Sequence, residues 1–212
     1  MASHKNKDAA EVKKQFTKEH TNYPTLVGKV RGVLFECSSF FEEMKARASV
    51  SRSFVYFAII VLVYLAVVSV VYAVTYKPEA RALPPSQAIA IAAILGFAVS
   101  VIFLFVSSVL AHTTARFLKG TGTYAQTLTV VSFGSTPAYL LGWVPFFGLL
   151  AIAYGAIIQI KGIAIMHDLS QGKAATSILF PLALILAIGV LLLVWSEANP
   201  FTAVANSTAT TA

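Results

Sequence analysis

The sequence predicts an all-α membrane protein: a five-helix transmembrane bundle preceded by amphipathic juxtamembrane helices. Of the 212 residues, 57% are hydrophobic and 12% are charged, and the mean hydropathy is +0.75. A soluble domain carries roughly 25% charged residues, so this chain lacks the polar surface to cover its apolar residues in water. Five apolar segments approach the length of about 20 residues that a helix needs to cross the hydrocarbon core.

The chain divides into four parts. Residues 1–22 are polar and are expected to form a disordered cytoplasmic tail, followed by an amphipathic interfacial segment, residues 23–52. Residues 53–196 are the predicted five-span domain, and residues 197–212 a short disordered outer tail. Because the first apolar run begins only after some fifty residues, it is too late for a cleavable signal peptide and is expected to be an uncleaved anchor.

The interfacial segment has the pattern of an amphipathic helix. Apolar residues recur there at spacings of three and four, which places them on one helical face. That face includes Val30, Leu34, Phe40 and Phe41. The favoured interpretation is a helix lying in the inner leaflet beside the first span; packing of the same face on the bundle is the alternative that stays open.

This segment is expected to contain two short helices. Ser39 followed by Glu42 has the form of a capping box, in which the first residue caps a new helix. The pattern predicts a junction near Ser38.

The five predicted spans differ in strength. They cover residues 54–76, 86–110, 124–141, 146–166 and 176–195. The third is the weakest, because Thr, Gln and Ser dilute its apolar residues and Pro137 interrupts it. Five spans are therefore predicted, and four remain the alternative.

Basic residues predict the orientation. Ten of the 16 Lys and Arg precede the first span, and with five spans fourteen fall on the same side as the N-terminus. Only Lys77 and Arg81 fall on the other side. By the positive-inside rule the N-terminus is cytoplasmic and the C-terminus outside. Asn206 begins a glycosylation sequon in form, a tripeptide that is common by chance.

Small residues predict close helix packing. Gly148, Gly155 and Gly162 repeat every seven residues, and Gly134 and Pro137 complete the predicted packing set. In lipid, small residues let helix backbones approach closely. A compact bundle core is the favoured interpretation over a pore lining, and the same residues would also suit homo-oligomer contacts.

The sequence carries little catalytic equipment. It contains no His-Glu-x-x-His, no Gly-x-Ser-x-Gly and no phosphate-cradling loop. No acid lies deep in a predicted span, which disfavours an ion-coupled transporter. We therefore expect no enzyme activity, no cofactor, no bound metal and no nucleic-acid partner.

The polar residues of the spans gather near the inner interface, judged from the 1.5 Å rise per helical residue. They are His112, Arg116, Tyr124, Gln126, Gln159, Lys161, His167 and Asp168. One interpretation is a pocket for a headgroup, ion or partner; the favoured one is snorkelling cations with interfacial His and Tyr. A metal site of His112, His167 and Asp168 is disfavoured because the two histidines lack ligand spacing.

Several motifs between residues 111 and 174 suggest a family. They are His112 to Arg116, Lys119-Gly120-x-Gly122 with Tyr124 and Thr127, Ser135-Thr136-Pro137, Gly142-Trp143-Val144-Pro145-Phe146-Phe147-Gly148, Lys161-Gly162-Ile163 and His167-Asp168-Leu169-Ser170-x-Gly172-Lys173-Ala174. This pattern resembles the Yip family of five-span membrane proteins, named for binding Rab-type GTPases in eukaryotes. The family often has a Gly-Gly pair where Leu118-Lys119 stand here.

The resemblance implies a cytoplasmic N-terminus, five spans, and a trafficking or scaffolding role without catalysis. The Ala- and Val-rich, cysteine-poor composition is more typical of an archaeal or bacterial relative, for which the cell membrane is the expected location and a Rab partner is not expected.

The leading hypothesis is a non-enzymatic membrane protein acting in membrane organisation, trafficking or partner scaffolding. Its expected partners are membrane lipids and a homo-oligomer or other membrane proteins. One alternative is a small-solute or ion transporter or channel that uses the polar cluster. The other is an accessory subunit of a larger membrane complex.

Overall fold

The computed structural model describes residues 23–75, 84–144 and 146–198. In these ranges the chain forms eight helices and no strand. The predicted tail at residues 1–22, nearly all of the predicted outer tail, Lys77, Arg81 and Asn206 lie outside the described residues.

The helices follow one another in chain order. They are α1 (Leu26–Phe35), α2 (Cys37–Lys45), α3 (Val50–Thr75), α4 (Pro85–Phe117), α5 (Tyr124–Gly134), α6 (Thr136–Leu141), α7 (Phe147–His167) and α8 (Gln171–Ala198). Four of them, α3, α4, α7 and α8, contain stretches long and apolar enough to cross a membrane. The predicted all-α membrane class is therefore confirmed.

The third predicted span is a pair of helices, α5 and α6, that meet at Ser135. Pro137 has no amide hydrogen, so the carbonyl of Phe133 loses its usual helical donor. The hydroxyl of Thr136 donates to that carbonyl at 2.6 Å and replaces the missing bond. All eight residues from Thr127 to Gly134 are buried, so this segment forms the centre of the bundle.

Hydroxyl pairs join the central segment to α3. Ser53 and Thr129 share a hydrogen bond of 2.7 Å, and Tyr56 and Thr136 share one of 2.9 Å. A buried hydroxyl without a partner is costly. Thr129 and Thr136, two of the polar residues that weaken the third span in the sequence, therefore make contacts between helices.

Glycines allow α7 to pack closely on α5 and α6. A Cβ atom at Gly155 would lie 2.8 Å from the carbonyl oxygen of Gly134 and 4.0 Å from Pro137. At Gly162 it would lie 2.7 Å from Val130, and at Gly148 2.9 Å from the carbonyl oxygen of Gly142. The structure places the predicted packing glycines at contacts within the bundle.

Helices α1 and α2 form a hairpin that packs on the bundle. The junction is at Glu36, two residues before the predicted position near Ser38, and Ser39 lies inside α2 instead of capping a helix. Phe40 and Phe41 are fully buried. The ring of Phe40 lies 5.0 Å from that of Phe133, centroid to centroid.

The buried face of this hairpin corresponds to the second interpretation left open by the sequence. Phe40 and Phe41 contact the bundle and not a lipid surface, while Val30 and Leu34 are half-buried against the same core.

Candidate functional site

A buried threonine bridges two histidines at one end of the bundle. The hydroxyl of Thr127 lies 2.7 Å from Nε2 of His167 and 3.0 Å from Nδ1 of His112. His167 is fully buried. We call this the basic end; it also holds residues 118–123 and 168–170, which join α4 to α5 and α7 to α8.

The bridge limits the tautomers of the two imidazoles. The Thr127 hydroxyl has one proton, so when both rings are neutral at least one of them donates to Thr127, and the proton of Thr127 goes to the other ring or to the Thr123 carbonyl at 3.4 Å. The remaining ring nitrogen of His167, Nδ1, is buried and has no hydrogen-bond partner among the described residues.

Two glycines of the α4–α5 loop cover His167. A Cβ atom at Gly122 would lie 2.8 Å from its Nδ1, and one at Gly120 would lie 3.0 Å away. The amide of Thr121 donates to the His167 carbonyl at 3.0 Å, and Arg116 donates to the Gly120 carbonyl at 3.0 Å. The glycines of the Lys119-Gly120-x-Gly122 motif therefore let the loop lie directly on the ring.

Asp168 ties this loop to the hairpin. It receives the ammonium of Lys45 on Oδ1 at 2.6 Å and the hydroxyl of Thr121 on Oδ2 at 2.9 Å. These hydrogen bonds, that from Lys45 foremost, hold the pKa of the Asp168 carboxyl below its usual value. Asp168 ends α7 with a φ of 54°, a left-handed conformation that aspartate tolerates better than most residues.

Gln126 connects the start of α5 to the hairpin. Its side-chain oxygen accepts from the amide of Thr123 at 2.7 Å, while the Thr123 hydroxyl accepts from the amide of Gln126, which completes a capping box. Its Nε2 donates to the carbonyl of Lys45 at 2.9 Å. One side chain thus caps α5 and holds the end of α2.

The structure brings six of the eight predicted cluster residues together. They are His112, Arg116, Tyr124, Gln126, His167 and Asp168, with the ring of Tyr124 5.8 Å from that of His112. Lys161 lies apart from them and is exposed. Gln159 packs against Gly134 instead.

Three contributors are missing from the sequence prediction. Lys45, Thr121 and Thr127 all form bonds to the cluster. The sequence offers two signals near these residues. Thr123-x-x-Gln126 has the form of a capping box at the start of α5, and Thr127 is one of the residues that carry the family resemblance. Nothing local marks Lys45, because its partner is 123 positions away.

A cavity of about 420 Å³ lies among α4, α7 and α8, with residues of α5 and α6 also in its lining, and neither histidine lines it. Its lining is largely apolar and includes the exposed Phe103, Ile152 and Leu186 together with the polar Gln159. The Gln159 amide forms no hydrogen bond with any described residue.

Comparison with known protein families gives a match over most of the chain. The model of the Yip1 domain matches residues 31–193, which cover most of the chain. This chain belongs to the Yip1 domain family. Neither the curated proteins nor the solved structures give a match.

The match includes α2, the loop glycines over His167 and Asp168 itself. The polar residues at the basic end of this Yip1 domain mainly bond one helix to another. Across the described ranges no three His, Cys, Asp or Glu side chains are grouped so that they could hold a metal ion. The arrangement fixes the hairpin, the α4–α5 loop and the end of α7 relative to each other.

Proposed function

We propose that this protein acts without catalysis, organising the membrane or scaffolding partner proteins in it. The observation that carries the proposal is the use of the polar groups at the basic end. Lys45, Gln126 and Asp168 join the hairpin to α5 and α7. The hydroxyl of Thr127 is hydrogen-bonded to both histidines. Such a site builds a rigid surface at one end of the bundle.

In this proposal the basic end faces the cytoplasm. Four cations lie at that end, Lys45, Arg116, Lys119 and Lys173, and cytoplasmic segments carry an excess of Lys and Arg. The C-terminus then lies outside, and the cell membrane of a prokaryote is the proposed location.

The proposed partners are lipids and other membrane proteins, a second copy of this chain included. Many large apolar side chains of α3, α4, α7 and α8 face outward, which suits lipid or a neighbouring transmembrane helix.

Purification of the full chain in mild detergent tests the scaffold. Mass spectrometry of the intact complex should reveal a stoichiometric protein partner or a homo-oligomer. Lys45→Met, which loosens the end of the hairpin by removing its bonds to Ile165 and Asp168, should reduce that partner several-fold, whereas Lys173→Met, which removes an exposed cation at the same end, should not. A monomer without a protein partner would contradict the scaffolding role.

The cavity around Gln159 favours a second candidate, a small-solute transporter or channel. Reconstituted vesicles distinguish the two. Solute flux that depends on the protein and is lost in Gln159→Leu would support transport and count against the scaffold. No flux above that of empty vesicles would leave the scaffold as the better account.

A further inference from the structure

Helices α1 and α2 run antiparallel, side by side. A Cβ atom at Gly32 would lie 2.9 Å from the ring of Phe40, and the two residues are equally distant from the junction at Glu36. Lys29, near the start of α1, and Met44, near the end of α2, line one shared pocket. Glu36 is therefore the tip, and the ends of the hairpin lie at Leu26 and Lys45.

The hairpin extends along α7. The thiol of Cys37, next to the tip, lies 3.9 Å from the carbonyl oxygen of Ile158. Lys45, at the other end of α2, reaches the carbonyl of Ile165 at 2.9 Å and the carboxylate of Asp168. At 1.5 Å per residue, the tip is therefore about 14 Å from His167, measured along α7.

The surroundings of the tip are set by α7. This helix is 21 residues long and apolar, close to the length that spans a hydrocarbon core. Ile157, beside the contact with Cys37, is 50% exposed, and the hydroxyl of the outward-facing Tyr154 donates to the carbonyl of Leu34. Side chains that face outward at this level face lipid.

Phe35 sits at this level and points away from the bundle. It is 80% exposed, whereas Phe40 and Phe41 on the inner face of the hairpin are fully buried. Val27, on the same helix and 77% exposed, lies about 12 Å nearer the basic end at the helical rise of 1.5 Å. Arg31 is between them and is also exposed.

We propose that the hairpin stands along the membrane normal and inserts Phe35 among the acyl chains of the leaflet at the basic end, with Val27 at the headgroups. The proposal rests on the membrane placement of the proposed function. The partner surface is lipid, and the hairpin occupies only one of the two leaflets. It therefore acts as a one-sided wedge on the bilayer.

The acid at the tip has a partner that suits this position. The hydroxyl of Tyr23 donates to Oε2 of Glu36 at 2.7 Å. Burial, with the hydrogen bond to Glu36, raises the pKa of Tyr23 to about 12, so this donor keeps its proton. A charged group beside hydrocarbon is far less costly when it is hydrogen-bonded.

Lys161 limits the depth of insertion. It is exposed on α7 three residues beyond Ile158, which is about 5 Å nearer the basic end. Its ammonium can extend to the headgroups while its stem stays in the apolar layer. Ile158 lies next to the middle of α7, so a headgroup position for the Lys161 ammonium shifts α7 toward the basic end and places Phe35 above the bilayer centre, among the acyl chains of that leaflet.

Tryptophan fluorescence in vesicles measures this depth. In the full chain with Trp143→Phe and Trp195→Phe, a single tryptophan is introduced as Phe35→Trp or as Val27→Trp. The vesicles contain lipids brominated in the upper acyl chain, or a quencher attached to the headgroup. We expect the acyl bromine to quench Phe35→Trp at least two-fold more than Val27→Trp, with the order reversed for the headgroup quencher.

Two outcomes would overturn the insertion. Equal depth profiles for both variants would mean that the hairpin lies flat, and quenching of Phe35→Trp by aqueous iodide would mean that its tip is in water. The elution volume and thermal unfolding of each variant, matched to the tryptophan-free parent, show that it is folded. Neither outcome affects partner co-purification, so failure of the wedge and failure of the scaffold are distinguishable.

Discussion

The ammonium of Lys45 lies 2.6 Å from the carboxylate of Asp168, although 123 positions separate them in the chain. This pair holds the end of the hairpin against the end of α7. Both side chains are partly exposed, so the pair is expected to contribute only about 0.2–1 kcal/mol. Its role is to fix the position of the hairpin more than to stabilise the fold.

Acid should weaken this docking. The folded-state pKa of Asp168 is lowered, so the contribution of the pair is present above the ordinary carboxyl pKa and is lost as the pH falls below it. Thermal unfolding in detergent at pH values from 6 to 3 measures the effect. Asp168→Asn should unfold a few degrees lower at pH 6 and change less with pH than the unmodified chain; identical pH profiles would contradict this.

Close packing at Gly155 should make that position intolerant of a methyl group. In Gly155→Ala the new Cβ would lie 2.8 Å from the carbonyl oxygen of Gly134, so a backbone must shift, at a cost of about 1–3 kcal/mol. Gly189→Ala is the matched control, because nothing lies within 4 Å of a Cβ there. The free energy of unfolding should fall in the first variant only, and equal values would refute the packing role.

The hydroxyl of Thr127 should be essential to the histidine bridge. Thr127→Val keeps the shape but leaves ring nitrogens of His112 and His167 unpaired, at an expected cost of about 1–3 kcal/mol. Thr127→Ser should retain most of the stability. Thr113→Val is the control, because Thr113 is exposed and donates only to the carbonyl of Val109. If Thr113→Val lowers the free energy of unfolding as much as Thr127→Val does, the histidine bridge contributes no more than the single bond of Thr113.

Lys119 should be replaceable by glycine with a gain in stability. Its φ of 69° lies in the left-handed region that favours glycine. The family often has a Gly-Gly pair where Leu118 and Lys119 stand in this chain. Lys119→Gly should raise the free energy of unfolding by up to about 1 kcal/mol. Lys119→Ala removes the same charge but keeps the Cβ atom, and it should show no such gain.

The span helices are predictable from the sequence because their signal is local. The apolar runs of α3, α4, α7 and α8 predict spanning helices without any information about the elements packed against them. The break at Glu36 is less accessible: Ser39 and Glu42 form a capping pattern, but the contacts of Phe40 and Phe41 with the bundle decide where α2 begins.

The residues of the site are also predictable only in part. Residues near the ends of the spans are recognisable by their depth, which brings His112, His167 and Asp168 to one end of the bundle. Depth alone does not give the direction around the helix, so it groups Gln159 with them although that side chain packs on Gly134. Lys45 is not predicted at all, because it belongs to a helix outside the spans, to which the depth argument does not apply.

The hydroxyl pairs between α3 and the central α5–α6 segment bear on how this chain enters a bilayer. Thr129 and Thr136 donate their own protons to carbonyls of the same segment, and they accept from Ser53 and Tyr56 when the first span is beside them. Without this pairing the hydroxyls of Ser53 and Tyr56 would lack acceptors in hydrocarbon, and the segment would expose the Thr and Ser side chains that are buried in the bundle. Its biogenesis is therefore expected to be collective, with α5 and α6 held at the insertion machinery until α3 and α7 are in place to receive them.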